Sequence, residues 1–189
     1  IIELDIDLSS AKTNLDRNVV NKDYAKYRCD EATVVSIKHK VTNEEIDSIE
    51  SHHDPEFIYK KGKTVSEPYY YNNPDVVCAS GIHFYMTKEA AFFHAYVHDP
   101  TYTGELKSWH NNGQLDNSIH YENGKKNGLY KAFHSNGQIL EKIKYVNDMK
   151  EGNYGKWHLS GTQIIEAWYI NNVLDGPYHE WFSNGKTKI

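Results

Sequence analysis

GLYKAFHSNGQILEKIKYVNDMKE, residues 128–151, and GNYGKWHLSGTQIIEAWYINNVLD, residues 152–175, are adjacent 24-residue stretches that align without a gap. Outward from them, the opening glycine recurs as Gly104, Gly128, Gly152 and Gly176, and a second series runs Gly113, Gly137, Gly161 and Gly185. Further columns keep the same step: Leu106, Tyr130, Tyr154, Tyr178; then Trp109, Phe133, Trp157, Trp181; then Tyr121, Tyr145, Tyr169. Columns that hold register this way mark a tandem array in which each unit is one supersecondary element.

The turn chemistry identifies that element. Asn112-Gly113, Asn136-Gly137, Ser160-Gly161 and Asn184-Gly185 sit between short runs rich in aromatic and β-branched residues, and read as tight hairpin turns. The opposite connection carries Asn123-Gly124, Asn147-Asp148 and Asn171-Asn172, residue types that share a tolerance for positive φ. Each unit is therefore expected to be one two-stranded hairpin, advancing the array by about 10 Å. A lone hairpin is unstable in water, so neighbours must supply the burial. The ring columns two and five residues after the first glycine have opposite parity, which puts rings on both faces of the sheet.

Gly128, Tyr130, Phe133, His134, Asn136, Gly137 and Tyr145 follow the order G-x-Y-x-x-W-H-x-N-G and then a strand ending in Tyr. This resembles MORN-type repeats, most of all the variant of the bacterial YwqK antitoxin-like group. The resemblance covers about residues 104–189 and implies a contact surface for protein or lipid. Gln163 and Thr187 depart from it where Leu115 and Ile139 are aliphatic, and the last copy stops at Ile189.

Upstream the period does not continue, and His98-Asp99-Pro100-Thr101 carries turn signals that place a boundary near residues 98–103. Three segments result: an extension over 1–24, a small α+β domain over 25–100, and the array over 101–189. In the middle segment Ala32 to Lys40 alternates as a strand, and Thr42-Asn43-Glu44-Glu45 has capping-box spacing for a short helix through about Ser51. Phe57-Ile58-Tyr59 with a Lys61-Gly62-Lys63 turn predicts a hairpin, and Ile82 to Met86 another strand. Thr87 caps a helix over Lys88 to Val97, with Ala90, Ala91, Phe93 and Ala95 for packing. The fold class expected is an α+β N-terminal domain followed by an all-β array of stacked antiparallel hairpins in a single-layer, MORN-like sheet.

The runs Arg28-Cys29-Asp30, Tyr59-Lys60-Lys61-Gly62-Lys63 and Cys78-Ala79-Ser80-Gly81-Ile82-His83-Phe84-Tyr85 resemble an uncharacterised domain found beside pentapeptide or MORN repeats in giant DNA viruses. That resemblance spans about residues 25–97 and implies a viral, intracellular or virion setting. Asp7-Leu8-Ser9-Ser10-Ala11 allows a reading of the first residues as the end of a pentapeptide-type coil.

Composition narrows the partners. The 189 residues include 15 Tyr and 4 Trp, with a mean hydropathy of -0.75 and a net charge of -5. Residues 1–103 hold 11 Lys and Arg against 17 Asp and Glu, and residues 104–189 hold 10 against 9. Neither half offers the basic field that nucleic acid or an anionic membrane surface requires. Two cysteines are too few for a disulfide scaffold, and no export segment is visible, so a reducing interior is expected.

Candidate chemistry is sparse. Cys78 and His83 form a thiol and imidazole pair without an evident third group, and a packed thiol is the plainer reading. His110, His134 and His158 share a column, but about 10 Å per repeat is too far for one metal ion, so repeated hydrogen bonds are expected. His52-His53-Asp54 reads as a solvated turn. The rings Tyr130, Tyr154, Tyr178, Trp109, Phe133, Trp157 and Trp181 either line a ligand groove or form the core that joins hairpins. The sum is a binding or scaffolding module, with a protein partner, a possible homodimer through open sheet edges, and no catalytic residue, metal or cofactor.

Overall fold

The computed structural model describes residues 1–40, 42–94 and 100–188. The chain divides into two units, Ile1–Phe92 and Phe93–Ile189. The turn expected at 98–103 lies partly outside the described residues.

The first unit is built from small antiparallel sheets. Its strands are β1 (Ile2–Asp5), β2 (Lys26–Cys29), β3 (Glu31–Ile37), β4 (Ser48–Glu50), β5 (Ile58–Lys60), β6 (Thr64–Ser66) and β7 (Ile82–Tyr85). They pair as β1-β3-β6, β2-β7 and β4-β5. β3 alternates as its sequence suggests, sending Ala32 and Val34 inward, where they join Cys29, Ile37, Val65 and Ile82 in the core.

Three expectations need correction here. The α+β description fails because the helix over Thr42–Ser51 does not form. Asn43 adopts φ 60°, the Asn43 and His39 N–H groups bond across a tight turn, and Lys38 bridges to Glu45. The Thr42 hydroxyl donates to the Glu44 carboxylate instead of capping a helix, a case of local side-chain bonding winning over helix. The segment 1–24 is not a free extension: β1 pairs with β3 from Ile2↔Ile37 to Asp5↔Thr33, and Asp7–Ala11 closes a turn on the Asp7 carbonyl and carboxylate. The Lys61-Gly62-Lys63 turn forms, but its flanking strands pair elsewhere, β5 with β4 and β6 with β3.

The single described helix is α1 (Lys88–Phe93), capped by the Thr87 hydroxyl, which accepts the Ala90 N–H at 3.3 Å. The expected continuation through Ala95 to Val97 lies outside the described residues.

The second unit is one antiparallel sheet of β8 (Gly104–Trp109), β9 (Leu115–Glu122), β10 (Lys125–Lys126), β11 (Gly128–Phe133), β12 (Ile139–Val146), β13 (Met149–Trp157), β14 (Gln163–Ile170) and β15 (Val173–Glu180). β10 and β11 are one course broken at Asn127. The register repeats with the sequence: Gly104↔Tyr121, Gly128↔Tyr145 and Gly152↔Tyr169 in successive hairpins. A bulge follows at the same place in each, at Ser108/Trp109, Ala132/Phe133 and Lys156/Trp157.

The two connections differ in a way opposite to expectation. At the Asn-Gly side the Gly137 N–H bonds to the His134 carbonyl and the His134 N–H to the Gln138 carbonyl, both at 2.8 Å, and only the glycine has positive φ, +86°. This is a three-residue loop, a type I turn followed by a left-handed glycine. Across the sheet, Asn147 and Asp148 (φ 49° and 68°) and Asn171 and Asn172 (φ 50° and 68°) both take positive φ, the mark of a two-residue type I′ turn. The tight turns are thus the ones without a required glycine.

Candidate functional site

The ring columns separate into core and surface. On one face Leu106, Tyr130 and Tyr154 stand opposite Ile119, Ile143 and Ala167. Those three aliphatic residues are buried, and Tyr154 is only 9% exposed. Tyr130 and Tyr145 meet edge to face at 6.2 Å, and Tyr154 and Tyr169 at 5.8 Å. Lys126 lies 5.1 Å over Tyr145, and Lys150 lies 5.1 Å over Tyr154 and 5.3 Å over Tyr169. Burial pushes the Tyr130 phenol up to about 12 and that of Tyr154 higher still. These tyrosines are the joint between hairpins. Tyr178, the last of the column, is 36% exposed, because no strand follows it among the described residues.

The second column sits one bulge along. The Trp157 ring lies where a side chain on Gly155 would project, so glycine is required there by close approach. Trp109 packs at 6.0 Å from Phe93, and Trp181 at 5.7 Å from His179. The carbonyls of Phe133 and Trp157 accept from the ring nitrogens of His110 and His134 at 2.8 and 3.0 Å. The histidine column is therefore a set of ties between repeats. Asn112 and Asn136 add a parallel tie, each donating to a carbonyl 23 residues on, Ser135 and Leu159. At the third copy both stop: His158 turns to Ser160, and serine replaces the asparagine.

Gly137 illustrates the constraint on the glycine series. Besides its positive φ, an added Cβ would meet the Gln114 side-chain oxygen at 3.1 Å. A side chain from the preceding repeat already fills that space.

Cys78 and His83 are placed differently in the first unit. The His83 Nε2 is engaged with the Val77 carbonyl at 2.9 Å, and burial pushes its imidazole below the ordinary range. Cys78 is exposed. Cys29 is buried, bonds the Ile82 carbonyl at 3.8 Å, and has its thiol pushed up to about 12 by burial. Among the described residues, no three His, Cys, Asp or Glu side chains are placed to hold a metal ion, and no helix is long and apolar enough to cross a membrane. His52 and His53 stack edge to face at 5.4 Å. His52 also lines a shallow depression of about 600 Å³ with Ser48, Glu50 and Ile58.

One feature escaped sequence reasoning. Arg28 in β2 is fully buried, and its guanidinium donates to four carbonyls of the loop between β6 and β7. Buried Asn14 accepts the Arg28 backbone N–H and donates to the Pro74 carbonyl. The residues that carry the N-terminal resemblance, Arg28-Cys29 and Ser80 to Tyr85, prove to be partners: Cys29↔Ile82 and Arg28↔His83 in the β2-β7 ladder. The signal available was an arginine set in KYRC between apolar neighbours.

Residues 1–91 match a family of unknown function, DUF5758. No curated protein and no solved structure matches the chain.

Proposed function

We propose that the chain is a non-enzymatic repeat protein of MORN type that acts as a protein-protein interaction or scaffolding module. The observation that carries this reading is the distribution of exposure along the array. Internal tyrosines are spent on joining hairpins, while the C-terminal end leaves Trp168, Ile170, Val173, Leu174 and Phe182 in solvent, each at least 41% exposed. The register puts Trp168, Ile170 and Val173 on one face of the sheet and Leu174 on the other, and large apolar side chains exposed together on a regular sheet favour a contact surface. The resemblance to giant-virus proteins suggests an intracellular or virion setting, and two free thiols are compatible with that.

Site-specific photo-cross-linking tests it. A photoreactive phenylalanine analogue at Trp168 is expected to capture a defined protein partner in the native cell or particle, while the same analogue at Lys142 captures none. Equal capture at both positions, or none at either, would sink the reading.

The outer edge of β15 supports self-association as one form of that contact. Past the Lys188 N–H, which bonds the Glu180 carbonyl at 2.7 Å, no described strand covers Val173 to His179. Open edges accept strands. Sedimentation velocity across a hundredfold range of concentration is expected to show a reversible dimer, lost when Tyr178 is changed to Pro.

A further inference from the structure

The loop from Glu67 to Gly81 is long and mostly exposed, with Val77 buried, and its backbone is held from below at many points. Arg28 donates through Nε to the Val76 carbonyl at 2.9 Å, through Nη1 to Tyr71 at 2.7 Å and Ser80 at 3.1 Å, and through Nη2 to Asn73 at 2.6 Å. Asn14 Nδ2 holds the Pro74 carbonyl at 3.3 Å, and the Ser80 hydroxyl bonds the Tyr69 carbonyl. Gly81 permits this closeness, since a Cβ there would stand 3.0 Å from the Arg28 Cβ. A buried cation satisfied by carbonyl dipoles of one loop fixes that loop's shape.

The side chains divide accordingly. The Tyr70 ring lies 4.9 Å over the Arg28 guanidinium, facing inward. Its neighbours face out: Tyr69 is 83% exposed and Tyr71 50%. Tyrosines displayed on a fixed backbone lose little freedom on binding, which is the economy that rigid paratopes use. The loop's own charged side chains are acidic, with the Arg28 guanidinium beneath them and Arg17 interacting with Asp75. Between Lys63 and Lys88 the chain has no lysine or arginine, and it carries Glu67 and Asp75.

We propose that this loop is a preformed recognition surface for a lysine- or arginine-bearing segment of a partner protein. Tyr69 and Tyr71 offer ring faces to the cationic side chains, and Asp75 and Glu67, whose Oε1 also accepts the Tyr69 N–H at 3.0 Å, offer carboxylates. Arg28 acts as a positioning residue. The surface is distinct from the repeat array and stands or falls separately from the function proposed for it.

The test uses the full chain and fluorescein-labelled decapeptides (Gly-Arg)5, (Gly-Gln)5 and (Gly-Glu)5, read by anisotropy. Only (Gly-Arg)5 is expected to bind. The double change Tyr69→Ala and Tyr71→Ala should weaken it about tenfold or more, the scale of two partly exposed cation-ring contacts. Glu67→Gln with Asp75→Asn should weaken it, while Glu50→Gln with Glu56→Gln, an equal charge change outside the loop, should not. The proposal is overturned if the tyrosine pair has no effect, if both acid pairs act alike, or if (Gly-Gln)5 binds as well. Arg28→Met is expected to speed amide exchange over residues 69–80 and weaken (Gly-Arg)5. A folded Arg28→Met that binds like the parent removes the positioning role, and if it does not fold the tyrosine pair decides.

Discussion

Replacing Ile143 with alanine tests the account of the array at its centre. Ile143 is fully buried and packs with Tyr130, Tyr145, Tyr154 and Ala167. An Ile→Ala change in a core costs about 2–5 kcal/mol, the spread depending on how far the site collapses. Here the third repeat shows the column tolerating alanine: Ala167 stands opposite Tyr154, whose ring closes the space to 9% exposure. Partial closure by Tyr130 therefore sets the expectation near the low end, about 2–3 kcal/mol. For a unit of this size that corresponds to a fall in Tm of roughly 10–20 °C. The assay is clean because all four tryptophans, Trp109, Trp157, Trp168 and Trp181, lie in the array, so their fluorescence follows that unit alone through urea or heat. Leu129→Ala, at a side chain 44% exposed, serves as the surface control. If Ile143→Ala costs no more than the control, the buried column is not what holds the hairpins together.

Four further outcomes follow from the same geometry. Gly137→Ala should destabilise the array by about 1–2 kcal/mol, since φ +86° and the Gln114 side chain both oppose a Cβ, and a neutral result in thermal melts would contradict the three-residue turn. The array should lose stability in alkali: the Tyr130 phenol is held above its unfolded value, so its contribution is complete below about pH 10 and is lost as pH rises through about 12. Urea midpoints measured upward from pH 9 should fall, and fall less steeply in Tyr130→Phe. A thiol reagent at pH 8 should modify Cys78 in the folded protein and reach Cys29 only after denaturation, and rapid double labelling would refute the burial assigned to Cys29. In native-state hydrogen exchange, amides of β15 should open before those of β12 and β13, because the ties made by His134 and Asn136 have no equivalent at His158 and Ser160.

The period was legible because the constraint that sets it is local. A left-handed glycine, a bulge and a ring opposite a glycine must recur wherever the same hairpin recurs, so Gly113, Gly137 and Gly161 announce themselves. Turn type was not legible from the dipeptide alone. Asn-Gly favours a type I′ turn in an isolated hairpin, but Asn136 keeps an ordinary φ, and its side chain reaches the next repeat at the Leu159 carbonyl. The same three-residue turn forms at Gly161, where Ser160 replaces the asparagine and bonds only locally, so the tie accompanies the longer turn without selecting it. In the N-terminal unit the capping-box pattern at Thr42 misled for a related reason. Asn43 tolerates positive φ, and Ile46 packs against the core cluster that holds Ile37 while its N–H bonds the Ile37 carbonyl, a pairing that a helix turn would forgo. Arg28 was invisible as an anchor because its partners are carbonyls between Tyr71 and Ser80, and carbonyls carry no residue signature.

The two units solve the problem of burying a small polar chain by different means, and this bears on where contacts form. The array is quasi-one-dimensional, so each hairpin depends on the next for cover, and cover is least where the ties end, beyond His158. Exposure of Trp168, Ile170, Val173 and Leu174, beside the last described strand, therefore follows from repeat architecture, and the contact proposed there uses a surface left open by default. The loop over Arg28 is a different case. No repeat forces Tyr69 and Tyr71 outward, and tethering their backbone to a buried cation commits an arginine, an asparagine and a glycine to one loop's shape. A surface that is exposed by default and a surface that is exposed by construction respond differently to substitution. Adding a covering strand to the first should stabilise the array with no partner present, whereas deleting the rings of the second should leave stability unchanged and remove only binding.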